Sequence, residues 1–552
     1  MPITPTYPGV YIEELPSFSH SVTAAPTSVT VFVGYTHPFA TLKFGAATEI
    51  FSFADYQANF GGFFSFSPWL PDYMGNAVFQ FFANGGSNAW VVGLKPTAYV
   101  DATGQPVKDG KGSNIPLSAA SVNIDVAPAT VTLTAREPGG VDPANNNAAV
   151  AIPTVVQLAN VRADAQGHAS ALADIIITCG TQVETYRAVP AADIAQQLSP
   201  SLLVTVSRVA NGPPGAFPAA GVFSLGYATP PPADSTLINL SDYGAVFQTG
   251  ASLDVDVPIF NLMVLPGISP VSDQQSAVLS EALAFCEQKR AFFIMDAPPN
   301  ATASTASPPP EQTPLGTPAP IDMDTFWRTD TPPVSANGAI YFPYLETIDP
   351  LTQQRYVSPP SGFVAGIFAR EDASWSVGKA PAGLETTLTG TSGVVAWGRM
   401  TDARQGVLNG DGVDCLRDFP GVGTVVFGAR TLVSVNPAFE QWKYVPVRRT
   451  ALFIEQSLYG SLGWAVFQPN DTPLWNALTQ EVNAFMLTLF RQGNYFQGTT
   501  PSEAFLVQCD STTTTQADID AGRVNILVGF APLKPAEFVV VQITQLAGQT
   551  QT

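Results

Sequence analysis

The chain has 552 residues, 45% of them hydrophobic and only 12% charged, with 24 Lys and Arg against 44 Asp and Glu and a formal net charge of −20. That length exceeds one ordinary core and predicts two to four domains, and the apolar content excludes general disorder. The acidic balance argues against general nucleic-acid binding, which needs a basic face, and against attraction to anionic lipid.

The charge is unevenly spread. Residues 1–100 carry 2 basic and 5 acidic groups, residues 363–552 carry 12 and 16, and the middle, 101–362, carries 10 and 23. The middle is thus expected to face solvent. Cys179, Cys286, Cys415 and Cys509 lie far apart with no CxxC pair, so they read as reduced thiols in a chain made in the cytoplasm. No basic and apolar leader pattern opens the chain. The longest apolar stretch, Val257 to Ile268, is short and broken by Pro258 and Pro266, so no membrane insertion is expected.

In chain order, Tyr7-Pro-Gly-Val10-Tyr11-Ile12-Glu13-Glu14 is a β-prone run ahead of any compact unit. Thr27 to Gly34 reads as a strand, Ser52 to Phe60 as a short helix stopped by Gly61-Gly62, and Pro71 to Asn84 as a helix with Met74, Val78, Phe81 and Phe82 on one face. Asn88 to Leu94 returns as a strand. From 101 to 238, short alternating runs separated by Pro, Gly, Asn and Ala predict a β-rich insertion.

From 239 the pattern becomes α/β: a buried strand at Ile259 to Leu265, a helix from Ser272 to Arg290, and a strand at Ala291 to Met295. Alternation of this kind favours a parallel sheet. A Pro-, Ala-, Thr- and Ser-rich loop, Pro298 to Pro320, follows. A strand at Gly338 to Tyr344 and a glycine-rich helix start near Pro359 come next. The last third contains predicted strands at Gly423 to Ala429, Gly463 to Gln468, Ala504 to Cys509 and Val524 to Phe530. A helix opens at Thr472-Pro473 and stops at Gly493.

The chain closes on Lys534-Pro-Ala-Glu-Phe538-Val539-Val540-Val541-Gln-Ile543. Phe538 and Val540 would point to one face, and Val539, Val541 and Ile543 to the other. A strand apolar on both faces needs cover on both, and a terminal strand is readily lent to another chain.

Catalytic chemistry is sparse. The histidines are His20, His37 and His168, with none beyond, so a Ser-His-Asp or Cys-His site in the α/β segments lacks its base. No metal set of clustered Cys and His appears. Gly104 to Lys111 imitates a phosphate loop, but it has five residues between the glycines and Gly112 where Ser or Thr belongs. Asn409, Asp411, Asp414 and Asp418 form an acidic stretch without EF-hand spacing, for which a solvated loop is the simpler reading than a calcium site. The pairs Glu13-Glu14 and Arg448-Arg449 are either solvated faces or charge partners between subunits.

The ordered set Tyr7-Pro-Gly-Val-Tyr-Ile-Glu13, Phe60-Gly-Gly62, Ala77 to Gly86, Ala89-Trp-Val-Val92, Pro359-Pro-Ser-Gly362, Lys379-Ala-Pro381, Gly428-Ala-Arg-Thr-Leu432, Val447-Arg-Arg449, Phe467-Gln-Pro-Asn470, Cys509-Asp510, Gly522-Arg-Val-Asn525 and Pro535-Ala-Glu-Phe538 resembles contractile tail sheath proteins. The resemblance covers roughly residues 1–95 and 339–545.

It implies an α/β multidomain subunit, non-enzymatic and without cofactor. Such subunits form hexameric rings stacked helically around an inner tube, and the stack contracts from a metastable extended state to drive the tube through a target envelope. The implied partners are further copies of the chain, the inner tube, the baseplate and a terminator or cap. The implied place is a virion tail or released injection particle assembled in the bacterial cytoplasm. The expected domains are a strand arm at 1–20, an N-terminal sheath domain at 21–100, the outward β-rich insertion at 101–238 and a central subtilisin-like but non-catalytic α/β domain at 239–395. A C-terminal α/β domain facing the tube at 396–532 and a strand arm at 533–552 complete the chain.

On this reading Tyr7, Val10, Tyr11 and Ile12, with Phe538, Val539, Val540, Val541 and Ile543, are arm residues that join neighbouring subunits. The competing reading is a particle-associated hydrolase, or an adhesin or coat protein without contraction.

Overall fold

The computed structural model describes residues 21–37, 40–64, 72–95, 107–108, 120–135, 154–179, 182–201, 203–226, 240–303, 321–329, 333–350, 353 and 355–542. The chain forms two compact units, one of Pro26–Arg449 with Lys534–Thr552, the other of Met1–Ala25 with Thr450–Leu533.

The larger unit is built on an eight-stranded sheet. From edge to edge its strands are Ala47–Ile50, Ala89–Leu94, Thr30–Tyr35, Leu262–Val264, Phe292–Asp296, Gly338–Phe342, Val413–Phe419 and Gly423–Val426. The six inner strands are parallel, and each edge strand is antiparallel to its neighbour.

The inner strands are mostly apolar because both faces are covered, with Asp296, Asp414, Arg417 and Asp418 as the charged exceptions. Val31, Val33, Phe293, Met295 and Ile340 pack with Leu279, Leu283 and Cys286 of the Asp273–Lys289 helix. On the other face Phe32 meets Phe81 edge-on at 5.4 Å, and Phe292 and Tyr341 meet Phe368 at 6.2 and 6.3 Å. Phe81 and Phe368 belong to the Tyr73–Ala83 and Ser361–Ser374 helices. Local signals set the helix ends. Ser52 and Ser272 accept hydrogen bonds from the amides of Asp55 and Gln275, and Gly61 closes its helix at φ +84°.

Those two helices cross closely because Gly362 and Gly366 present no Cβ. A Cβ on Gly362 would lie 2.5 Å from the Ala77 backbone, and one on Gly366 2.7 Å from the Phe81 carbonyl oxygen. Gly362→Leu is therefore expected to force the helices apart and cost about 3 kcal/mol of stability by overpacking. Urea unfolding of the variant checks this; a midpoint equal to wild type would refute the close-packing account.

The sheet corrects two expected boundaries. Residues 21–100 form no separate domain, since Thr30–Tyr35 pairs with both Ala89–Leu94 and Leu262–Val264. Residue 396 is no break either: Ile340 pairs with Val413, and Val413, Asp414, Cys415 and Leu416 are buried beside the Gly338–Phe342 strand. Strands with no exposed face cannot be cut from their sheet. The chain passes between units later, inside the Val445–Ser461 helix.

The described residues of the 101–238 region form seven antiparallel strands in two sheets. One comprises Ser121–Val126, Ala129–Ala135 and Val204–Ala210, the other Gly221–Ser224, Thr154–Arg162, Leu172–Cys179 and Gln182–Pro190. Ile124, Val131, Leu133, Val156, Ile175 and Ile177 enclose a common core, so the sheets form a sandwich.

The smaller unit holds the Thr472–Gln492 helix and an antiparallel pair, Phe505–Gln508 with Leu527–Phe530. Asp471, rather than Thr472, caps the helix by accepting from the Leu474 amide, with Pro473 in the first turn and Gly493 at the stop. The strand expected at Gly463 to Gln468 is instead a 3-10 turn, Leu462–Ala465, followed by Phe467 at φ +68°. That left-handed residue and Pro469 end any extended run.

Candidate assembly site

A strand needs a ladder, and the last described segment has none. Leu533 donates its amide to the Tyr495 carbonyl at 3.0 Å. Four residues on, the Glu537 carboxylate is gripped from several directions. Oε1 accepts from Arg430 Nε at 2.9 Å and Asn409 Nδ2 at 2.6 Å, and Oε2 accepts from Arg430 Nη2 at 2.7 Å and the Tyr444 hydroxyl at 3.2 Å. Burial works against the charged form of Glu537, yet these donors hold its carboxyl below the usual range.

Past this point the chain is bare. Phe538, Val539, Val540 and Val541 are 74%, 82%, 82% and 75% exposed, and no strand among the described residues pairs with them. Four consecutive large apolar side chains in water are an interaction surface by default. Tyr7, Val10, Tyr11, Ile12, Glu13, Glu14 and Ile543 lie outside the described residues, as does most of the 104–111 stretch. Just after the N-terminal run, the Thr23 and Ala25 amides donate to the hydroxyls of Ser461 and Ser457 at 3.0 and 2.9 Å.

The described residues also include a small sheet with open edges. The Phe505–Gln508 and Leu527–Phe530 pair has no further strand on either outer edge among the described residues, and Leu506 and Leu527 are half-exposed. A two-stranded sheet of this kind is marginal alone and open to augmentation.

The basic pair behaves differently. Arg449 grips Asp372 with two bonds of 2.8 and 2.6 Å, donates to the Thr27 carbonyl at 2.9 Å and stacks 4.8 Å from the Phe368 ring centroid. Its side chain is only 3% exposed and that of Asp372 2%, so Arg449 is not a surface charge for another subunit, which corrects that expectation. Burial pushes the Asp372 carboxyl up, opposed by Arg449. Arg448 donates to Asn337 Oδ1 at 2.9 Å and lies over the Trp442 ring.

Other polar groups make contacts within the fold. Asp296, at the end of its strand, accepts from the Ser361 amide and hydroxyl at 2.9 and 2.7 Å and from the Gly267 amide at 3.1 Å. It ties the start of the Ser361–Ser374 helix to the sheet. Asn409 sits in the Asp402–Gly410 helix, Asp414 is buried beside the Arg430 amide, and Asp418 accepts from the Thr424 hydroxyl and the Val394 amide. Asn409, Asp414 and Asp418 thus serve different partners, in a helix and a strand rather than one loop. Among the described residues no group of three or more His, Cys, Asp or Glu is placed to hold a metal, and no helix is long and apolar enough to cross a membrane.

Asp296 gives a signed prediction. Burial raises its pKa from 3.8 to about 7, against the pull of the Ser361 and Gly267 donors. Between these values the folded state keeps a proton that the unfolded chain has released. Stability should therefore fall as pH rises through roughly 4 to 7, by up to about 4 kcal/mol. Urea midpoints at pH 5 and pH 8 should differ less in Asp296→Asn than in wild type; equal slopes would refute the assignment.

Comparison with known proteins gives these features a setting. Residues 438–545 match the phage tail sheath C-terminal domain. A putative prophage major tail sheath protein of Pseudomonas aeruginosa (strain UCBPP-PA14) is 27% identical over 199 residues, 35% of this chain and 48% of that protein. The match thus spans about half the length of that curated relative. The contracted helical sheath of the anti-feeding prophage aligns over 98% of this chain and all of its own, at 22% identity and a TM-score of 0.53. The contracted sheath of PVC, an extracellular contractile injection system, aligns over 98% of both chains at 21% identity and 0.53. Residues 438–545 thus match the phage tail sheath C-terminal domain, and the chain as a whole shares the α/β multidomain fold of these sheath structures, as its resemblance to that family leads one to expect.

Proposed function

We propose that this chain is the structural, non-enzymatic subunit of a contractile sheath in a phage tail or extracellular injection particle. Six copies form a ring, rings stack helically around an inner tube, and the stack contracts from a metastable extended state to drive the tube through a target envelope. The observation that carries this reading is the run Phe538–Val541, left exposed past Glu537 in a chain that also offers a two-stranded sheet with open edges. The run of one copy adds to the Phe505–Gln508 and Leu527–Phe530 pair of another, and the N-terminal run containing Tyr7, Val10, Tyr11 and Ile12 does the same. Main-chain bonds join the copies while the alternate side chains are buried.

Such a lattice stores its work in packing. The contracted state buries more surface and the extended state is kinetically trapped, so no nucleotide or cofactor is needed for the stroke. The acidic insertion faces outward, and the baseplate and a terminal cap bound the stack. Assembly takes place in the bacterial cytoplasm.

Negative-stain microscopy of the purified full chain tests the reading. Rings or striated tubes are expected; a stable monomer at high concentration would sink it.

A further inference from the structure

The segment before the exposed run is held at one residue. Glu537 is the only acidic residue between 521 and 552, and its carboxylate accepts four side-chain hydrogen bonds. Lys534 and Ala536 before it and Phe538 after it are exposed.

The grip is rooted in the sheet. Arg430 is 8% exposed, its amide donates to Asp414 Oδ1 at 2.8 Å, and Asp414 pairs with Tyr341 in the central sheet. Arg430 also bridges to Tyr444 through the backbone and donates to the Asn409 carbonyl. An exposed ion pair is worth little, but a bidentate, largely buried, fully hydrogen-bonded one is a geometric constraint.

We infer that Glu537 is the positioning residue of the C-terminal arm. It pins the arm to Arg430 so that the chain leaves its own subunit at a fixed point and direction, and tension from a second copy of this chain passes into the central sheet. The inference rests on the arm-donation reading. Pinning reduces the ordering cost of docking, because Phe538–Val541 is presented rather than searched for.

The test compares four full-length or truncated forms by the critical concentration for polymerisation, with thermal unfolding as a check on folding. Glu537→Ala should raise the critical concentration roughly ten- to a hundredfold, the loss of a charge-assisted hydrogen bond set. It should also lower the unfolding midpoint, because the buried Arg430 guanidinium loses its carboxylate; the glycine insertion below, which keeps the pair, should leave that midpoint unchanged. Glu537→Gln, which keeps an acceptor, should fall between it and wild type. Inserting two glycines between Glu537 and Phe538 keeps the pair and the side-chain alternation but frees the exit direction, so it should resemble Glu537→Ala; a purely stabilising ion pair would be indifferent to it. Polymerisation of Glu537→Ala or of the insertion at the wild-type concentration, while a chain ending at 537 does not polymerise, overturns the inference alone. Polymerisation of the chain ending at 537 overturns the arm reading beneath it.

Discussion

Removal of residues 538–552 is expected to leave a folded subunit with a wild-type unfolding midpoint that forms no tubes. The described residues it loses, Phe538–Val541 and Gln542, are all exposed, so the isolated fold gains almost nothing from them. In the lattice each large apolar side chain is worth about 1.5–3 kcal/mol when covered, and the strand ladder is lost with them. Removal of residues 1–14 should have the same pair of effects. Thermal unfolding, pelleting and negative-stain images check both halves. Contractile tubes formed by either truncated chain would contradict the arm assignment.

Arg449→Ala is expected to show the opposite pattern, a large loss of stability of about 3–5 kcal/mol. The substitution strands the Asp372 carboxylate in a site where its side chain is 2% exposed. It also removes the donor to the Thr27 carbonyl just before the Thr30–Tyr35 strand, and the cation over Phe368. The double change Arg449→Met with Asp372→Asn leaves no buried charge and should recover a large part of the loss. Urea unfolding of the two forms decides it: a double variant as unstable as Arg449→Ala would mean that packing on Phe368, rather than the unpaired charge, carries the effect.

Helix ends were readable in the sequence to within one or two residues, although the cap at Thr472 and the strand at Gly463 to Gln468 were misread. Asp273 in the first turn and the Lys289-Arg290 end mark the Asp273–Lys289 helix, and Pro473 and Gly493 bracket the Thr472–Gln492 helix, because end signals act within one turn. The fully apolar runs around Phe32, Met263 and Phe293 became parallel inner strands, which follows from two covered faces.

The larger misses were decided at a distance. Whether Val413–Phe419 belongs with the centre or the C-terminal part depends on its pairing with Gly338–Phe342, which no local window contains. Thr154–Arg162 and Gln182–Pro190 show no clean alternation, because polar Thr154 and Glu184 lie on the inner side while apolar Val155 and Val183 lie on the outer one, which blurs the period-2 signal.

The candidate site divides in the same way. The run Phe538–Val541 was legible because a double-sided apolar strand at a chain end has no cheap solitary conformation. Its anchor was not: Glu537 and Arg430 stand 107 residues apart, and a lone glutamate before an apolar run carries no signal of its partner. Arg448-Arg449 looked like a surface pair, since adjacency in sequence does not reveal that one member is enclosed with Asp372.

The central claim is that one copy of this chain completes the sheet of another. A helical cryo-EM reconstruction of the polymer tests it directly. The account predicts Phe538–Val541 as a strand hydrogen-bonded to an outer edge of the Phe505–Gln508 and Leu527–Phe530 pair of a different subunit. Density showing that segment folded back on its own subunit, with both outer edges still unpaired, would contradict it.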